Sequence, residues 1–121
     1  GSSEPVVLAA SDPANPYGRV LRWPSSGESS PSSSGRALVV LDGGEPTLHL
    51  RLSSGTASTF GAPPALLERA ARALVAAVHE WGPDTVTVER ADGGEVFGTA
   101  LDAALVAAGF HVNPKGLRLR R

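Results

Sequence analysis

The sequence predicts an α+β fold: a curled, mostly antiparallel sheet or small open β-barrel of six to seven short strands, with two helices packed outside. Three observations predict it. Short apolar or alternating runs recur between Gly, Pro and Asp turn signals. Two longer stretches carry apolar residues at helical spacing. The resulting order, β, loop, β-β-β, α, β, α, β, suits a curled sheet with helices on its outside.

Val6 to Ala10 is a short apolar run and reads as a buried strand. It ends in Ser-Asp-Pro-Ala-Asn-Pro-Tyr-Gly, residues 11–18, whose prolines, Asp, Asn and Gly make an ordered turn or loop. Arg19 to Trp23 can extend again. Residues 24–35 are Ser, Gly and Pro with one Glu, so this segment has nothing to bury and is expected to be flexible.

Ala37 to Leu41 is the clearest strand, and Asp42-Gly-Gly-Glu45 is a hairpin signal. Thr47 to Leu52 alternates, with the leucines on one face and His49 and Arg51 on a wet face. Thr56 to Phe60 completes a three-stranded meander. A helix starts at Pro63-Pro64, where a missing N–H costs nothing, and ends at Gly82-Pro83. Its apolar stripe is Leu67, Ala70, Ala71, Leu74, Val75, Val78 and Trp81; Arg69 and Arg72 lie off it and are expected to be solvated. Thr85 to Arg90 alternates as a strand, and Asp92-Gly-Gly turns. The second helix spans Ala100 to Ala108, with Thr99 as N-cap, Asp102 three residues on, and Gly109 as its C-terminal stop. Asn113-Pro-Lys-Gly116 turns the chain into a last strand, Leu117 to Arg120.

With 121 residues the chain is one domain. Gly1-Ser2 reads as an expression-tag remnant, leaving 3–121 as a single module with the flexible loop inside it. The aromatic share is 5 %, so Ala, Val and Leu must fill the core. There is no cysteine, which excludes disulfides, thiolate metal sites and thiol catalysis and points to the cytoplasm. No signal peptide and no apolar run of the ~20 residues that a membrane helix needs is visible. A net charge of −1 is unlike a free-standing DNA-binding domain, so any nucleic-acid contact must come from a local patch.

No complete catalytic or metal site is expected. The patterns GxxxxGK[ST], GxGxxG and GxSxG are absent. His49, His79 and His111 are far apart and lack metal-ligand spacing. Two segments stand out. The loop around Asp12, Asn15 and Tyr17 is either an Asx-type turn or a recognition loop. In the second reading Tyr17 and Trp23 stack on unpaired bases while Arg19 and Arg22 hold phosphates. The tail carries Lys115, Arg118, Arg120 and Arg121. It is either a solvated edge face that blocks edge-to-edge pairing or a stripe that contacts phosphates.

These residues resemble a known family. The stretch Leu8-Ala-Ala-Ser-Asp-Pro-Ala-Asn-Pro-Tyr-Gly18, then Leu21-Arg-Trp-Pro24, looks like the start of the last module of large helicase-related (Lhr) proteins. Gly35 to Glu45, Leu48 to Phe60, Val86 to Gly93, Leu101 to Phe110 and Gly116 to Arg120 continue the resemblance over nearly the whole chain. It implies a bacterial superfamily 2 DNA helicase with a role in DNA repair. The ATP- and Mg-dependent motor of such proteins is N-terminal, and tandem winged-helix modules lead to a β-barrel-like end associated with oligomerisation. None of the motor motifs is in this chain. The resemblance therefore implies an accessory module without cofactor, whose partners are the winged-helix neighbours, another protomer, and DNA. Glycosylase activity is attributed to the C-terminal region of some relatives; here Asp12, Asp92, Tyr17 and Trp23 are the residues that would contribute. A third reading, a small-molecule-binding barrel, needs a leucine-lined pocket with few polar groups.

Overall fold

The segment that alternates most plainly forms the centre of the fold. The computed structural model describes residues 5–9, 37–80 and 83–120. In it, β1 (Val6–Ala9), β2 (Ala37–Asp42), β3 (Glu45–Arg51) and β4 (Thr56–Ser58) pair antiparallel in that order, so the predicted meander is present. Asp42 faces Glu45 across Gly43-Gly44, whose φ angles are 64° and 84°. That loop geometry matches the twist of the flanking strands. Gly1-Ser2, read above as a tag remnant, the Asp12–Gly18 loop, Arg19 to Trp23, the 24–35 segment, Trp81, Gly82 and Arg121 lie outside the described residues.

α1 (Pro64–Glu80) starts at the second of the two predicted prolines and packs on β1, β2 and β3. It buries Leu67, Ala70, Ala71, Leu74, Ala77 and Val78, while Val75 is half-buried. Its alanines leave room for α2 (Ala100–Ala108), which packs against it with the predicted bounds. The Asp102 N–H donates to Thr99 Oγ1 at 3.2 Å. Asp102 Oδ2 accepts from the Gly98 N–H at 2.9 Å, one residue further back than in a capping box. The N–H groups of Gly109 and Phe110 both return to the Leu105 carbonyl, which turns Phe110 into the core.

The strands number nine among the described residues, not six or seven. The predicted strand from 85 to 90 is two strands in two sheets. β5 (Thr85–Val88) pairs with β9 (Gly116–Arg120), and β6 (Arg90–Ala91) pairs parallel with β4. Glu89 carries the chain from one sheet to the other, and unbroken alternation in sequence hides that change of partner. β6 returns through Asp92-Gly93 to β7 (Gly94–Glu95), and β8 (His111–Asn113) completes a hairpin with β9. Both are too short to show a periodicity of their own. The sheets have the orders β1-β2-β3-β4-β6-β7 and β5-β9-β8, and neither closes. Val86, Val88, Leu117 and Leu119 of the small sheet join Leu38, Val40, Leu48 and Leu50 of the large one in a single core with both helices.

His49 is a further correction. It is 1 % exposed, and Ala37, Val39, Thr47 and Ser58 near it are buried too. The middle of β2 and β3 is therefore covered on both faces, and the polar residues in the alternation do not mark solvent there. Of Thr47, His49 and Arg51, only Arg51, at the strand's end, is exposed.

Candidate nucleic-acid interface

The alternation of β9 sends Leu117 and Leu119 into the core and leaves Arg118 and Arg120 exposed. Two neighbouring strands extend this outer face. Arg118 stands opposite Thr87 of β5 and His111 of β8, and Arg120 stands opposite Thr85. Cross-strand partners share a face and lie ~5 Å apart. The two guanidinium-bearing positions are ~6.8 Å apart along the strand. β9 is the middle strand of its sheet, so the arginines do not guard a free edge; pairing on both sides rules that function out.

The hairpin before them is locally determined. Asn113 Oδ1 accepts from the N–H groups of Lys115 and Gly116 at 2.9 and 3.0 Å, an Asx turn that leaves Lys115 exposed at the tip. Arg118, Arg120 and Lys115 form no ion pair with a described residue. The arrangement offers two exposed guanidinium groups flanked by hydroxyls and an imidazole, with Lys115 at the hairpin tip, a chemistry that can hold phosphate oxygens.

The described acidic candidates are otherwise engaged. Asp92, with φ 52°, accepts the Thr59 N–H on Oδ1 at 2.8 Å and the Thr59 hydroxyl on Oδ2 at 2.5 Å. Both oxygens thus tie the β6–β7 turn to the end of β4, as a structural clamp and not a base aimed at substrate. Asp92→Ala loses both bonds and keeps an unfavourable left-handed backbone, so it should cost about 2–3 kcal/mol in urea unfolding. Asp92→Asn should cost clearly less, since Asn tolerates that backbone and retains an acceptor. Asp42 likewise holds Arg69, Nε to Oδ2 at 2.8 Å, which corrects the expectation that Arg69 is merely solvated. The packing of α1 on the β2 end brings these two together, 27 residues apart in sequence.

Among the described residues no group of three His, Asp or Glu side chains could hold a metal ion. No described helix is long and apolar enough to cross a membrane. A groove of about 480 Å³ lies between β1 and the Arg69-to-Glu80 side of α1, and its described lining contains no leucine, unlike the pocket a small-molecule barrel needs.

No protein-family model matches the chain. Over 123 aligned residues, 95 % of the chain, it is 39 % identical to a protein of Mycolicibacterium smegmatis named "Lhr helicase/ probable uracil glycosylase". The chain is thus similar to one region of an Lhr helicase. It spans only 8 % of that relative's length.

The candidate residues divide in two. Arg118 and Arg120 share one face of β9, and Lys115 lies at the tip of the hairpin before them. Asp12, Tyr17, Arg19, Arg22, Trp23 and Arg121 lie outside the described residues. Thr85, Thr87 and His111 join the face without having been singled out in the sequence. Reading Asn113-Pro-Lys-Gly116 as a hairpin loop would have found His111, because it puts residues 111 and 118 opposite each other.

Proposed function

We propose that this Lhr module is a non-catalytic, helicase-associated domain that contacts DNA through the outer face of β5-β9-β8. The observation that carries the reading is the exposed Arg118–Arg120 pair in mid-sheet, unmatched by any described acid. With a net charge of −1 over the whole chain, phosphate attraction must be local, and this face supplies it. The ATP- and Mg-using motor, the role in repair, and docking on winged-helix modules or a second protomer belong to the same proposal; the family resemblance supports them.

The test is a DNA titration at several salt concentrations with single-stranded and duplex probes. Binding should be salt-sensitive. Arg118→Ala and Arg120→Ala should each lower the slope of log K against log salt by about 0.7–0.9. If the protein binds DNA no more weakly after both substitutions, the face is ordinary surface and the reading falls.

A second reading is favoured by the relative's name: a base-processing site centred on Asp12 and Tyr17. Asp12→Ala should then slow uracil excision from a uracil-containing oligonucleotide by about 100-fold or more. Unchanged excision removes this reading.

A further inference from the structure

The face that carries Arg118 and Arg120 also carries a group whose charge is not fixed. Phe110 is drawn into the core, 2 % exposed, and the next residue, His111, opens β8 and is exposed. β8 pairs antiparallel with β9, and the register sets His111 opposite Arg118. Partners across a strand pair stand on the same face of the sheet, ~5 Å apart. A single phosphate, with two free oxygens, can therefore touch both side chains.

The charged groups around His111 are mostly cations. From β9 it meets Arg118, with Arg120 two residues further along the same face. Lys115 is exposed at the tip of the hairpin. β5, beyond β9, sets the neutral Thr85 and Thr87 on this face. Glu89, which follows β5, is half-buried, with its Cγ beside Gly55. α2, which leads into β8, has Asp102 as its one charged residue, in its first turn and bound to the Gly98 N–H. His111 itself pairs with no described carboxylate. An imidazole changes charge between about pH 5 and 8. Two cations directly opposite one another repel, and a phosphate oxygen held between them turns both contacts attractive. Protonation of such an imidazole and binding of a phosphate support each other.

We propose that His111, as imidazolium, is a third phosphate ligand beside Arg118, so that the hold of this face on DNA tightens as pH falls. The inference rests on the proposed DNA contact of the β5-β9-β8 face and adds its regulation. The sign follows from linkage. A contact that needs the proton takes one up on binding, so affinity rises on acidification and levels off once the free ring is fully charged.

The experiment is a salt titration of DNA binding at pH ~5.5 and ~7.5. It compares wild type, His111→Gln, His111→Lys and the Arg118→Ala, Arg120→Ala double variant. In wild type the slope of log K against log salt should be steeper at the lower pH by up to about 0.7–0.9, the share of one phosphate. His111→Gln keeps a donor but never charges, and should show the shallower slope at both pH values. His111→Lys is charged at both and should show the steeper one. His79→Gln, an exposed position on α1, should leave the pH dependence intact. A wild-type slope that ignores pH, while the double variant still weakens binding, overturns the inference and leaves the DNA contact standing. A pH dependence that survives His111→Gln overturns it too. Binding that the double variant does not weaken removes the DNA contact and this inference with it.

Discussion

Gly116→Ala is expected to destabilise the domain by on the order of 3 kcal/mol or more, enough to unfold a marginal fold. A Cβ at Gly116 would overlap the Val88 carbonyl oxygen and stand 2.9 Å from Glu89 Cα. Both obstacles are backbone atoms, which cannot swing aside as a side chain would. β9 and β5 would have to separate where Val88 pairs with Leu117, and those two residues are 1 % and 0 % exposed. Gly94→Ala is the matched control. Its Cβ would meet only the Ala91 carbonyl oxygen, at 3.9 Å, in ordinary contact. Urea unfolding of the two variants decides the matter. Equal midpoints would mean that β9 does not lie this close to β5.

Gly55→Ala is expected to cost about 2–4 kcal/mol, from two causes. Its φ of 68° is a left-handed conformation that costs alanine ~1–2 kcal/mol. The added Cβ would also stand 3.0 Å from the Thr87 carbonyl oxygen and 3.2 Å from the Glu89 nitrogen. The Gly55 carbonyl accepts from the N–H groups of Glu89 and Arg90 at 2.8 and 3.1 Å, so any retreat of the turn lengthens these bonds. Gly55 and Gly116 therefore close on the same peptides, 87–90, where the chain leaves one sheet for the other. A double-mutant cycle tests this. Coupling of more than about 0.5 kcal/mol is expected, and strict additivity would show that the two glycines do not share a junction.

The legibility of the elements follows the range of the forces that make them. α2 was read to the residue because Thr99, Asp102 and Gly109 act on groups within four positions of themselves. The Gly43-Gly44 hairpin was legible for the same reason, since its loop geometry is written in two residues. The basic face was half legible. Alternation put Arg118 and Arg120 together, but their place in the middle of a sheet depends on β5, nearly thirty residues earlier in the chain. The strand break at Glu89, the two short strands of the β6–β7 hairpin, and the Asp92–Thr59 clamp depend on partners that no local pattern names.

By itself the sequence determined the fold class, the positions of both helices and the central meander, because periodicity, caps and turn residues are local. Tertiary structure alone decided three things. It covered both faces of β3, so that His49 is buried; it drew Arg69 to Asp42; and it engaged both oxygens of Asp92. The physical reason is common to all three. Whether a polar side chain faces water or a partner depends on what packs against its face, and that is set by segments distant in the chain.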